Sequence, residues 1–151
     1  MIYKKKLEKI IEEINIHLNR IDEAFDELNT KYSFPLNDKD FENLIKNRVD
    51  LAFADQIIYR FSKAQDTTGA KFFKTFLLYQ GENVDKPFLD ILDRFEKMEI
   101  VNIDEWFLLR EIRNEITHEY EDNEELAKNI LNAIYKHKNQ LKKIINTVKI
   151  G

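Results

Sequence analysis

Along residues 4–29, Leu7, Ile11, Ile14, Leu18, Ile21, Phe25 and Leu28 recur at steps of four and three, with Lys, Glu, Asp and Asn between them. That spacing draws one apolar seam along a long helix, read here as a bundle helix rather than a coiled-coil strand. Tyr32 to Asn37 breaks the rhythm: Pro35 keeps the chain out of a helix until Asn37 or Asp38 can cap the next one. The second helix carries Phe41, Leu44, Ile45, Leu51, Ala52, Ile57, Ile58 and Phe61 and runs on through Ala64, Thr68, Phe72, Phe76 and Tyr79. QDTTG, at 65–69, crosses its middle without shifting the apolar phase, so the expectation is one long helix with a local kink whose polar residues partly face inward.

Gly81 ends that helix, and Pro87 suits the first position of a short third one with Phe88, Ile91, Leu92, Phe95 and Met98 inward. A fourth starts at Asn102 or Asp104, where Asn102 and Glu105 have capping-box spacing, and turns Trp106, Leu109, Ile112 and Ile116 inward. EYEDNEE interrupts the pattern; Asp122 or Asn123 then caps a last helix carrying Leu126, Ile130, Ile134, Leu141, Ile144 and Val148. With no repeat, low-complexity tract or linker, residues 1–151 are predicted to form a single all-α domain, an antiparallel bundle of about five helices.

Composition agrees. Three glycines, two prolines and 34% charged residues suit amphipathic helices, and 151 residues suffice for one core without staples. The absence of cysteine removes disulfides, thiol nucleophiles and thiolate metal sites, and fits a reducing compartment. MIYKKKLEKIIEE has too many charges for a signal or membrane segment, so a cytoplasmic protein that uses no membrane is expected. A net charge of −4 argues against a protein that coats nucleic acid through its overall field; no DNA partner is expected, and contact with RNA would have to be local.

REIRNEITHEY, at 110–120, gathers an arginine, an asparagine, a histidine and a tyrosine late in the fourth helix. At about 100° per residue, Arg113 and His118 are splayed by roughly 140° on an unbroken helix. They converge only if the helix ends near His118, if the arginine bends back, or if a second copy of the motif approaches. Together these side chains suit metal-free phosphodiester cleavage. Histidine titrates near neutrality and can move the proton of a 2′-hydroxyl or leaving oxygen. Arginine offers a fixed planar charge to phosphate, and Asn114 can orient either through its amide. Glu115 and His118 also have the Glu-x-x-His spacing of di-iron bundles, but Ile14 and Ile134 stand three residues before His17 and His137, so the second motif is missing and a metal site is rejected. His17 and His137 are expected to be solvated. Lys4, Lys5, Lys6, Lys136, Lys138, Lys142 and Lys143 are expected on the wet faces of the terminal helices, where they would steer RNA only weakly.

Residues 113–120 read R-N-x-x-x-H-x-Y and resemble the signature of the HEPN superfamily, particularly the HepT-like toxins and the similar nucleotidyltransferase substrate-binding subunits. The wider chain is similar too, from about residue 40 to 145, through RFSKAQDTTGAKFFKTFLLYQG and WFLLREIRNEITHEY. The resemblance implies a dimer in which two motifs line one cleft. Arg113 and His118 match the catalytic pair, Asn114 the polar residue that follows the arginine, and Tyr120 the tyrosine adenylylated by a partner nucleotidyltransferase. It implies cleavage of RNA by 2′-oxygen attack with no cofactor, held in check by a cognate MNT-type nucleotidyltransferase. Asp66 and Thr67, on the kinked helix, are candidates to support Arg113 or His118. A non-catalytic subunit that binds a nucleotidyltransferase or its substrate fits the same motif, and a purely structural bundle would leave its four polar residues as coincidence.

Overall fold

The computed structural model describes residues 2–116 and 122–148. Seven α-helical segments follow one another: α1 (Ile2–Asn29), α2 (Asp38–Lys46), α3 (Arg48–Thr67), α4 (Phe73–Tyr79), α5 (Phe88–Lys97), α6 (Ile103–Ile116) and α7 (Glu124–Thr147). A π-helical segment, Thr68–Phe72, joins α3 to α4, so α3, the π turn and α4 form one rod. No strand occurs among the described residues, and the protein is an all-α helical bundle. No described helix is long and apolar enough to cross a membrane.

Asparagines set the helix starts. Asn37 accepts from the Asp40 amide at 2.7 Å, Asn102 from Glu105 at 3.0 Å and Asn123 from Leu126 at 3.0 Å, each satisfying a first-turn N–H that has no partner within its helix. Asn47 accepts from the Val49 and Asp50 amides while its own N–H donates to the Leu44 carbonyl. One residue therefore ends α2 and begins α3, dividing the expected second helix and making six rods among the described residues rather than five. Pro87 takes the cap position of α5 instead of its first turn. Gly81 follows α4 with φ +81°, a left-handed conformation that costs a residue without Cβ little.

The π turn is where the sequence suggested a kink. Ala64, Thr68, Phe72 and Phe76 recur at steps of four, which on a regular helix would drift by about 120° over three steps. Widening one turn takes up the drift, and all four are buried. α1 packs most extensively on α3. Lys31 meets Asp50 and His17 meets Arg60, so α1 runs antiparallel to α3. Asn132 bonds both backbone groups of Leu36, Tyr135 packs on Phe25, and Lys138 meets Asp22. α7 is thus antiparallel to α1 as well, and parallel to α3.

Two expectations are corrected. Lys138 and Lys142 are not simply solvated: both pair with Asp22 of α1. Burial opposes ionisation of Asp22, but these two lysines outweigh it and hold its pKa below the ordinary carboxylate value. His17 is buried, at 8% exposure, because it lies three residues after Ile14 and four before Ile21, on the seam itself. Its Nδ1 lies 3.1 Å from Arg60 Nη1; the guanidinium donates, so Nδ1 accepts and the imidazole is neutral. His137 is half-buried, 3.1 Å from the Gln140 amide. In the first turn of α3, buried Asp50 accepts from Tyr32 Oη at 2.7 Å. Burial and that carboxylate push the phenol pKa up to about 12.

Burial first, then the Arg60 charge, lower the pKa of His17; Glu13 opposes them and Lys63 adds to them. A folded-state pKa below the unfolded value of 6.5 means that the unfolded chain takes up the proton first. The contribution of neutral His17 is present above that value and is lost as pH falls below it. The urea midpoint is therefore expected to drop between about pH 7.5 and about pH 5.5, and to drop less in His17→Gln. An equal drop in both proteins would contradict the assignment.

Candidate functional site

Trp106 is the anchor of α6. It is 2% exposed and meets Phe73 edge-on at 4.9 Å between ring centroids, with Phe88 at 6.4 Å. Phe95 of α5 fills the same cluster, 4.7 Å from Phe73 and 5.6 Å from Phe76. These aromatic side chains fix α6 against the α3–α4 rod by area and by ring geometry. Gly69, in the π turn, lets the indole approach: a Cβ there would lie 3.1 Å from Trp106 Cζ2.

One helical turn separates Trp106 from Arg110, and Arg113 and Asn114 follow at the next. The three line a cleft of about 460 Å³ with Gln65, Asp66 and Gly69 on the facing rod. Across it Arg113 Nε donates to Asp66 Oδ1 and Nη2 to Oδ2, both at 2.9 Å. This two-pronged geometry matches a planar guanidinium to a carboxylate. The Asp66 side chain is 51% exposed against 23% for Arg113, so solvent screens the pair and its value to stability is at most about 1 kcal/mol. Its effect is directional, because it holds one guanidinium at the cleft. Three of the five N–H donors of that group remain beyond the two given to Asp66.

Of the residues singled out in the sequence, Asp66, Arg113 and Asn114 come together at this cleft. Thr67 is buried beside Asp66 and does not line it. His118 and Tyr120 lie outside the described residues. Arg110, Gln65 and Trp106 also line the cleft and were not anticipated as site residues. For Arg110 a signal existed: Arg110, Arg113 and Asn114 fall at i, i+3 and i+4, one polar face of the helix. Arg110 is exposed and makes no ion pair among the described residues. Gln65 Oε1 and Trp106 Nε1 are buried with no hydrogen-bond partner among the described residues. No group of three or more His, Asp and Glu side chains suited to a metal ion occurs among the described residues.

Compared with protein-family models, with curated proteins and with solved structures, the chain matches none.

The chain has a single tryptophan, so its fluorescence reports this cluster alone. Gly69→Val drives a branched side chain into the indole, and is expected to cost about 1–3 kcal/mol. A red-shifted Trp106 emission should accompany the loss, measured by urea titration on both proteins. An unshifted spectrum at wild-type stability would show that the close approach at Gly69 does not hold α6.

Proposed function

We propose that this protein is a metal-independent endoribonuclease toxin of a HEPN/MNT-type toxin–antitoxin pair, acting as a homodimer in the cytoplasm. The observation that carries the reading is the fork of Asp66 on Arg113, which presents a positive, oriented guanidinium beside Arg110 and Asn114 in an open cleft. Such a group suits the equatorial oxygens of a phosphodiester, whose charge grows as the 2′-oxygen attacks. In the proposed reaction the 2′-oxygen bonds to phosphorus and the bond from phosphorus to the 5′-oxygen breaks. One His118 imidazole takes the 2′-hydroxyl proton, and the protonated imidazole of the second copy supplies one to the departing 5′-oxygen. The products are a 2′,3′-cyclic phosphate and a 5′-hydroxyl. Asn114 orients the phosphate or the imidazole.

Dimerisation is supported by Phe107 and Leu108, which leave 38% and 37% of their surface exposed on the helix that carries the arginines. Apolar side chains in that position suit a face covered by a second copy. Tyr120 is the proposed acceptor of AMP from the cognate nucleotidyltransferase; an added phosphate there would repel the substrate. A second reading, a non-catalytic subunit holding a nucleotidyltransferase or its substrate, draws on the same ion pair. Asp66 neutralises part of the charge that a phosphate would need.

Incubation of the purified protein with total RNA in EDTA separates the two. Wild type is expected to cleave, with His118→Ala and Arg113→Ala slower by roughly hundredfold or more. Asp66→Asn should slow cleavage by about tenfold to hundredfold through misplacement of Arg113, while its unfolding free energy from urea titration stays within about 1 kcal/mol of wild type. Equal inactivity of wild type and all variants would establish the non-catalytic reading instead. Mass spectrometry after co-expression with the partner nucleotidyltransferase should find AMP on Tyr120; an unmodified tyrosine beside an active partner removes that part.

A further inference from the structure

A second concavity, about 640 Å³ in volume, runs between α1 and the π turn and α4. Lys6 and Lys9 line it from α1, and Lys71 and Lys74 from the rod opposite. All four are exposed and none makes an ion pair among the described residues. Among the described residues of the lining Glu13 is the one acidic side chain, so these sum to +3 in a chain whose total is −4. Between the two lysine pairs the floor is apolar, formed by buried Ile10 and half-buried Leu78 and Val84.

Four like charges held this close repel one another, and in a helical protein acidic neighbours at i+3 or i+4 would ordinarily offset them. Lys71 and Lys74 have none at those positions in the rod: Lys74 itself and Thr75 follow Lys71, while Leu77 and Leu78 follow Lys74. The arrangement suits an external polyanion with an apolar component. Ala70 lines this groove and also the arginine cleft, which makes the two concavities neighbours across a single residue of the π turn.

We propose that the groove is a binding channel for single-stranded RNA flanking the phosphate held in the arginine cleft, an assignment that rests on RNA being the ligand of that cleft. Lys6 and Lys9 contact the backbone from one side and Lys71 and Lys74 from the other, while the apolar floor receives the face of a base. A volume of this size is in the range of about 300–1,000 Å³ that holds a small ligand, so it admits about one or two nucleotides and not a duplex. Continuity with the arginine cleft favours RNA over an acidic protein segment, which would need no second basic site beside it.

The test uses a fluorescein-labelled oligouridylate whose 2′ positions are methylated, so that it binds but is not cut, with affinity followed by anisotropy across a salt series. Lys6→Gln/Lys9→Gln and Lys71→Gln/Lys74→Gln are the variants, glutamine being a good helix former, and thermal melts of each verify folding. Each pair is expected to weaken binding by about tenfold and to reduce the slope of log K against log salt by about 1.4, from 0.7 per phosphate contact on a single strand. Arg113→Ala should keep the lysine-dependent slope. Wild-type affinity and slope in both lysine variants would overturn the channel while leaving the cleft's reading intact. Binding of polyglutamate but not of the oligonucleotide would also overturn it, in favour of a protein partner. Cleavage of total RNA in EDTA is followed in parallel: lysine-dependent binding without cleavage supports the channel and removes the nuclease, whereas cleavage without lysine-dependent binding does the reverse.

Discussion

The indole of Trp106 lies on the long rod where position 69 offers no side chain, and the placement of α6 follows from that approach. Phe73 of α4 and Phe88 of α5 pack on the ring, and Phe95 packs in turn on Phe73. Burial of each large aromatic side chain is worth about 1.5–3 kcal/mol, so the cluster outweighs any polar contact between these elements. Because the indole fixes the start of α6, Arg110, Arg113 and Asn114 follow at set heights along the rod, and Arg113 arrives opposite Asp66.

The magnitudes separate what holds the fold from what shapes the site. A half-exposed ion pair contributes little to stability, yet a two-pronged carboxylate fixes the plane and position of a guanidinium that would otherwise sample many rotamers. The aromatic cluster keeps α6 in place without help from Asp66. Elsewhere the polar contacts between helices are more deeply set. Asp50 with Tyr32, His17 with Arg60, and Asp22 with two lysines of α7 each join α1 or the loop after it to a neighbour. They ring the apolar seam of α1 and define which helix lies on which side of it.

Most of this architecture was legible in the spacing of apolar residues, and the helix starts at Asn37, Asn102 and Asn123 in the capping asparagines. The division at Asn47 was not, because neither glycine nor proline marks it and one asparagine serves both helices. His17 was misplaced by treating histidine as polar, when its position three and four residues from buried isoleucines puts it inside. The pairing of Asp66 with Arg113 joins residues far apart in the chain; the sequence offered Asp66 and Thr67 as supports for Arg113 or His118, but spacing alone could not choose among those pairings. Arg110 escaped notice although its spacing from Arg113 and Asn114 puts all three on one face. Repeated steps of four from Ala64 to Phe76 pointed to a wide turn as well as to a kink.

That wide turn also marks where the rod tolerates a change in its length. A π turn accommodates one residue more than regular winding does, so a chain shortened by one position between Thr68 and Phe72 returns to steps of four, three and four. Phe73 and Phe76 would still meet the core in such a deletion. The same loss anywhere along α3 would swing every later side chain of the rod by about 100°. Insertions and deletions among related chains should therefore gather beside Gly69, at the seam between the arginine cleft and the lysine groove, where a single amino acid gained or lost alters how the two concavities meet and leaves the hydrophobic interior as it was.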